Sequence, residues 1–355
     1  MKIAVVLGTR PEIIKMSPVI KELEHREASF FILHTGQHYS YSLDRIFFQQ
    51  LKLPEPRYHL DAGSGSHAEE TARMLVGIES VLIKERPDVV LVQGDTNSVL
   101  AGALAAAKLG IRVGHVEAGL RSYDRSMPEE INRVLTDHIS DYLYTPTPEA
   151  KRILQGEGIS ESKILVTGNT IVDAVYLNRQ LAEQEKHTPL PFPAKGYLLL
   201  TLHRQENVDQ RERLAAILSG INRVAQEFNL PVIFPAHPRT KKRLEEFNLN
   251  IGSIKIIEPV DYLQFLRFET SAKLILTDSG GVQEEACILG VPTVTLRENT
   301  ERPETLAIGA NILAGAQPEK ILESARLMLD RKKDWKNPFG DGRAAEKIAN
   351  SLLEA

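Results

Sequence analysis

Ile3-Ala4-Val5-Val6-Leu7-Gly8-Thr9-Arg10-Pro11-Glu12 is the stretch that decides the fold. Five apolar residues without polar alternation read as a strand buried on both faces. Gly8 permits a tight turn and Pro11 suits the first helical position, so the strand passes straight into a helix predicted over 11–24. The same succession recurs along the chain. Further strands are predicted at 30–34, 89–93, 113–116 and 142–145, with helices at 68–84, 99–109, 129–140 and 148–155. Residues 183–195, with Pro189, Pro191 and Pro193, interrupt the pattern and read as a linker. Beyond it, strands at 196–202, 231–235, 254–257, 273–277 and 293–296 alternate with helices at 212–228, 239–247, 280–289 and 318–330, and the segment 262–268 continues the series between the third and fourth of these strands. Such alternation demands parallel sheets with helices on both faces. The fold class expected is α/β, with two Rossmann-like domains facing across a cleft that takes a small ligand. The expected division is 1–172 for the N-terminal domain and 173–340 for the C-terminal domain, with 341–355 a helix packing back on the first.

A chain of 355 residues has room for two such cores. Its 43 basic and 47 acidic side chains leave a net charge of −4, which argues against nucleic acid or an anionic membrane as partner. Cys287 is the one cysteine, so neither an internal disulfide nor a thiolate metal cage can form. Its place on a predicted helix reads as inert core packing. The ten histidines include no His-Glu-x-x-His pair, and no metal is expected. No secretory leader and no membrane-spanning apolar run is read, so the protein is expected in the cytoplasm.

The turns at strand ends carry the chemistry. Arg10 and Lys15 put positive charge at a helix N-terminus, where the macrodipole favours a bound anion. Asp278-Ser279-Gly280-Gly281 offers a second anion cradle: Ser279 can cap a helix, and the glycines open backbone N–H groups to a ligand. Glu284 and Glu285 lie one turn further, where a carboxylate can accept from ribose hydroxyls or only complement the dipole. Arg302 places another cation beside that helix. In the first half, Asp95 and Glu117 end strands at the ligand-binding edge of the sheet, and Glu129 and Glu130 open a helix. Carboxylates gathered in one cleft suit acid–base work. Asp95 could instead be a helix cap, whereas Glu117 has no capping role to fill. His203, beside Arg204, reads as a phosphate or acid–base group; His237 is placed similarly. Gly63-Ser64-Gly65-Ser66-His67-Ala68 has the letters of a dinucleotide fingerprint. The preceding Tyr58-His59-Leu60 is a poor buried strand, so no NAD or other cofactor is expected.

Taken together these motifs are similar to those of the non-hydrolysing UDP-N-acetylglucosamine 2-epimerases, which share the two-domain GT-B architecture. The matching stretches are Gly8-Thr9-Arg10-Pro11-Glu12, Gln93-Gly94-Asp95-Thr96, His115 to Arg121, Pro128-Glu129-Glu130-x-Asn132-Arg133 and Gly168 to Asp173. Thr201-Leu202-His203-Arg204, Asp278 to Glu285 and Thr300-Glu301-Arg302-Pro303 follow in order. The resemblance implies that Asp95, Glu117, Glu129 and His203 are catalytic. It gives Arg10, Lys15, His203, Phe265, Ser279, Gly280, Gly281, Glu285 and Arg302 to the UDP-sugar. Whether Glu129 or Glu130 is the matching carboxylate stays open.

The reaction so implied is reversible epimerisation of UDP-N-acetylglucosamine to UDP-N-acetylmannosamine, by elimination of UDP to 2-acetamidoglucal and re-addition. Its product would supply activated N-acetylmannosamine for cell-surface glycans. A glycosyltransferase of GT-B fold, or a hydrolysing epimerase that frees N-acetylmannosamine, would use a similar UDP grip. A UDP-sugar sensor would have no need for the carboxylates. The resemblance also implies a homodimer. Gln37 and His38 match a region where some relatives bind a second, activating substrate. The segment 63–67 departs from the usual pattern there, so substrate activation is not expected.

Overall fold

The computed structural model describes residues 1–36, 41–184 and 189–354. They form two units, Met1–Leu177 with Phe339–Ala355, and Asn178–Pro338. The first unit holds strands β1 (Lys2–Leu7), β2 (Ser29–His34), β3 (Tyr58–His59), β4 (Val89–Gln93), β5 (Arg112–Val116), β6 (Tyr142–Thr145) and β7 (Ile164–Val166). They make one parallel sheet in the order β3-β2-β1-β4-β5-β6-β7. The second unit holds β8 (Leu198–Thr201), β9 (Val232–Pro235), β10 (Ile254–Ile257), β11 (Leu274–Thr277), β12 (Thr293–Thr295) and β13 (Asn311–Leu313). Its order, β10-β9-β8-β11-β12-β13, is again parallel. Both sheets therefore follow the Rossmann order, and each has a switch point between its first and fourth strands.

Side-chain alternation explains the double layer of helices. Leu198 and Leu200 of β8 join Val232, Leu274 and Leu276 in a core against Ile217, Ile221 and Ile321. Their neighbours Tyr197 and Leu199 point the other way, to Ile233, Ile275, Phe268 and Ala286. Successive residues of a strand face opposite sides, so an all-apolar strand needs apolar partners on both. In the first unit, Ala4, Val6, Val90 and Val92 pack on Met74 and Ile78 of the helix His67–Glu85.

Three expectations change. Residues 183–195 are not all linker: the helix Thr170–Gln184 runs into the segment, and Leu190 and Phe192 pack on the second core. Three-residue β7 and β13 went unread because strands so short carry no period, and the helices Tyr41–Gln50 and Thr170–Gln184 went unread as well. Gly8 serves less for a turn than for space, since a Cβ there would lie 1.9 Å from the Ser98 hydroxyl. The C-terminal helix Ala344–Leu353 belongs to the first unit and packs on the helix Arg10–His25. Asp173 holds its start by accepting from the Ala344 and Ala345 N–H groups at 3.2 and 2.9 Å.

Candidate active site

In the first unit the switch point lies between the carboxyl ends of β1 and β4, and Glu12 ties the two turns there together. It is the third residue of the helix Arg10–His25, whose N-cap is Thr9. Its carboxylate accepts from Gly8 N at 2.6 Å, Thr9 Oγ1 at 3.1 Å and, across from the β4 turn, Thr96 Oγ1 at 2.6 Å. Burial pushes Glu12 up to about 7, against the lowering effect of these three bonds. Sequence reasoning gave Glu12 no role. The Thr9-x-x-Glu12 spacing of a capping box was the available signal, although the carboxylate here reaches beyond the cap. Beside it, Arg10 pairs with Asp44 at 3.4 Å and lies over the Phe47 ring, 5.3 Å from its centre.

Glu117 follows β5, the next strand over, and adopts φ +72°. A non-glycine residue in the left-handed region costs about 1 kcal/mol or more. Glycine would sit there without that cost, so the backbone alone does not account for a glutamate at this position. Both its oxygens accept from Lys15 Nζ, at 2.8 and 2.7 Å, and Gln93 Nε2 donates to it as well. Lys15 thus meets a carboxylate. Asp95 follows β4 and pairs with Arg133, while Asn132 Nδ2 donates to its backbone oxygen at 2.9 Å. Both partners come from the helix Pro128–Ile139, which explains the spacing of the motif.

The same helix separates its two leading glutamates. Glu130 is buried and accepts from Ser122 N at 2.8 Å, Tyr123 N at 3.1 Å and Arg133 Nη1 at 3.2 Å. Burial raises its carboxyl, but these donors outweigh that and hold it below the usual range. Glu130 is a clamp on the loop before the helix. Glu129 is exposed and makes no side-chain hydrogen bond to any described residue. Behind Asp95, buried His115 bridges Gly94 O at 2.8 Å and Asp137 at 2.7 Å. Asp137 also receives Arg121 at 2.7 Å. Burial raises Asp137, yet His115 and Arg121 bring it below its ordinary value.

In the second unit, the switch point is built on Asp278, the residue after β11. It is fully buried and accepts from His203 N at 3.0 Å, Arg204 N at 2.9 Å and Asn207 Nδ2 at 3.1 Å. Its Oδ1 lies 3.1 Å from His203 Nδ1. Burial raises the Asp278 carboxyl, but the His203 contact and the N–H donors more than reverse that. The ring of His203 is therefore oriented through Nδ1, and the half-exposed side chain keeps Nε2 for other contacts. Ser279 then caps the nine-residue helix Gly280–Ile288 through Val282 N at 3.5 Å. Leaving aside its chain neighbours and its own helix backbone, a Cβ on Gly280 or Gly281 would come no nearer than 3.7 Å to any described residue. Neither has positive φ, so nothing within the unit requires glycine at either position. Bare N–H groups at a helix start, kept open in this way, suit an approaching anion.

The remaining candidates sit around this helix. Arg302 pairs with buried Glu284 at 2.7 Å, and Glu285 accepts from Tyr262 Oη at 2.9 Å. Phe265, in the first turn of the helix Tyr262–Ser271, packs partly on the second core. His237 caps the helix Pro238–Glu246 by accepting from Arg239 N at 3.2 Å, a structural task. Burial pushes the Cys287 thiol up to about 12, as suits a packed side chain. The glycine loop at 63–68 is closed to phosphate, because Glu70 takes Gly65 N at 2.9 Å and Glu69 takes Ser66 N at 3.0 Å. Gln37 and His38 lie outside the described residues. Among the described residues no group of side chains could hold a metal ion, and no helix is long and apolar enough to cross a membrane.

Residues 21–353 match the protein family described as UDP-N-acetylglucosamine 2-epimerase. The chain is 58% identical over 361 residues to the UDP-N-acetylglucosamine 2-epimerase of Methanocaldococcus jannaschii, covering 99% of each chain. It is 57% identical to the protein of the same name from Methanococcus maripaludis, over 99% of this chain and 98% of that one. The crystal structure of the M. jannaschii UDP-GlcNAc 2-epimerase in complex with UDP-GlcNAc and UDP superposes with a TM-score of 0.89 at 57% identity, over the whole of both chains.

Proposed function

The chain belongs to the UDP-N-acetylglucosamine 2-epimerase family, and on that footing we propose that it interconverts UDP-N-acetylglucosamine and UDP-N-acetylmannosamine without hydrolysis. One observation carries the reading. Asp95 and Glu117 stand on the loops after adjacent parallel strands, each held by a cation, Arg133 and Lys15. Carboxylates fixed in this way can pass a proton to and from one carbon centre.

The chemistry follows from the substrate. C2 of the sugar is not next to a carbonyl, so its hydrogen is too weakly acidic for direct removal. Expulsion of UDP from C1 changes this. The C1–O bonding pair leaves on the diphosphate, positive character at C1 acidifies C2–H, and a carboxylate takes the proton. The result is 2-acetamidoglucal and UDP. Return of a proton to the opposite face of C2, and of the diphosphate oxygen to C1, completes the epimerisation. Asp95, Glu117 and Glu129 form the acid–base set. Glu129 is preferred to Glu130 because the latter is occupied by the Ser122–Tyr123 loop. In the second unit, the N–H groups of Gly280 and Gly281, Ser279 and His203 receive the diphosphate, and Glu285 accepts from the ribose. Arg10, Phe265 and Arg302 complete the grip on UDP.

Incubation with UDP-N-acetylglucosamine alone, followed by proton NMR, tests this. UDP-N-acetylmannosamine is expected to accumulate to a constant ratio with no free sugar. Release of free N-acetylmannosamine, or turnover only after an acceptor sugar is added, would overturn the reading in favour of a hydrolase or a transferase.

We further propose that the working form is a homodimer built on the first unit, supplying activated N-acetylmannosamine for cell-surface glycans. Val76 and Ile83 on the helix His67–Glu85, and Ile131 and Leu135 on the helix Pro128–Ile139, are exposed apolar residues that such an interface would cover. Light scattering is expected to return twice the chain mass; a monomer mass at assay concentration would refute it.

A further inference from the structure

The helix Tyr262–Ser271 carries Tyr262 and Glu269 seven residues apart, two turns along one face. That face meets Glu285 of the helix Gly280–Ile288, which accepts from Tyr262 Oη at 2.9 Å. Glu269 is fully buried, and neither of its carboxyl oxygens has a hydrogen-bond partner when the group is drawn as an anion. It forms no ion pair among the described residues. An isolated buried carboxylate costs far more than a domain can tolerate, so the group must be neutralised or paired. Facing it from the neighbouring helix is another carboxyl group, Glu285.

Two carboxylates in one buried site cannot both ionise, whereas one proton between them turns a repulsion into a hydrogen bond. Glu285 keeps slight exposure and already accepts a hydrogen bond from the Tyr262 hydroxyl, which favours its anionic form. Glu269 has neither advantage. We propose that Glu269 is a positioning residue for nucleotide binding: a neutral carboxylic acid whose O–H donates to Glu285, fixing that carboxylate to accept from the vicinal hydroxyls of a ribose. The inference rests on the reading of Glu285 as a nucleotide contact.

The surroundings agree. Burial, and next the Glu285 charge, raise the Glu269 carboxyl well above its ordinary range. The other groups near it are Tyr262 on its own helix and Tyr197 ahead of β8, both phenols raised by burial first. Tyr197 Oη is engaged with Phe268 O at 2.7 Å. Arg267, which acts on Tyr197, donates to Gln264 at 2.9 Å. Asn178, from the helix Thr170–Gln184, lies against the Tyr262 hydroxyl. None of these supplies a positive charge to Glu269 directly, so the proton does that work.

The test has two arms on the full-length protein. Carbon-13 NMR with labelled glutamate is expected to show one carboxyl in the acid form throughout the neutral range, absent in Glu269→Gln. UDP affinity by calorimetry is expected to fall about tenfold or more in Glu269→Leu, which removes the donor. It should recover most of that loss in Glu269→Gln, whose amide can still donate. A lost acid signal in the parent protein, or equal affinities for folded Leu and Gln variants, would overturn the proposal. Glu285→Gln separates the two readings. If it leaves UDP affinity unchanged while the acid signal persists, the nucleotide role of Glu285 fails and takes the proposal with it. If it weakens UDP but the parent protein shows no acid signal, the nucleotide role stands and the proton sharing alone is wrong.

Discussion

Glu117→Gln is expected to slow epimerisation by about a hundredfold or more while UDP still binds. The amide keeps the size and the left-handed backbone position but can neither take nor return a proton, and general acid–base groups typically contribute about that much or more. The rate should fall in both directions, because the same group serves both. Part of the fall has a second source. The Glu117 oxygens both accept from Lys15, and an amide can satisfy it with only one. Asp95→Asn is the companion, since its carboxylate meets Arg133 and the loss there has different local consequences. UDP affinity should change little in either variant, because its proposed cradle is the Ser279–Gly281 turn. A Glu117→Gln enzyme retaining more than about a tenth of the parent rate would remove this carboxylate from the proton path.

How far the sequence alone leads depends on what each residue's role is made of. The parallel sheets were legible because apolar runs such as Val89–Gln93 bury both faces and leave no other period to read. That Asp95, Glu117 and His203 follow strand ends was legible from the apolar runs before them, and ligands of such sheets bind at those ends. Glu12 was not, since its task is set by Thr96, far along the chain, and only folding brings the two turns together. Asp278 was read merely as part of a glycine turn, although it orients His203 and the loop after β8. Glu129 and Glu130 could not be told apart by charge or position in the helix. Their difference comes from two backbone amides of the preceding loop. Glu269 was invisible, one residue beyond the segment 262–268, since the role proposed for it depends on a facing carboxylate. Local pattern thus gives elements and their ends, while pairings between distant turns require the folded chain.

Product formed in deuterium oxide is expected to carry deuterium at C2 in every molecule that has been epimerised, with a small amount of free UDP and 2-acetamidoglucal alongside. Elimination requires the C2 proton to leave on a carboxylate, which exchanges with solvent before the proton is returned to the other face. The competing route oxidises the sugar transiently with a tightly held NAD and returns the same hydrogen as hydride. That route needs a glycine turn whose amides can hold a pyrophosphate at the start of a helix. In the first unit, the Gly8 amide is spent on Glu12, and those of Gly65 and Ser66 on Glu70 and Glu69. Each puts a carboxylate where the pyrophosphate would lie. The Gly280–Gly281 turn does keep its amides open, but the acidic residue one turn in, Glu285, and the His203–Asp278 pair suit a leaving UDP that must be gripped and released. Full retention of the original C2 hydrogen, with no glycal detected, would reject elimination and return the search to a redox cofactor.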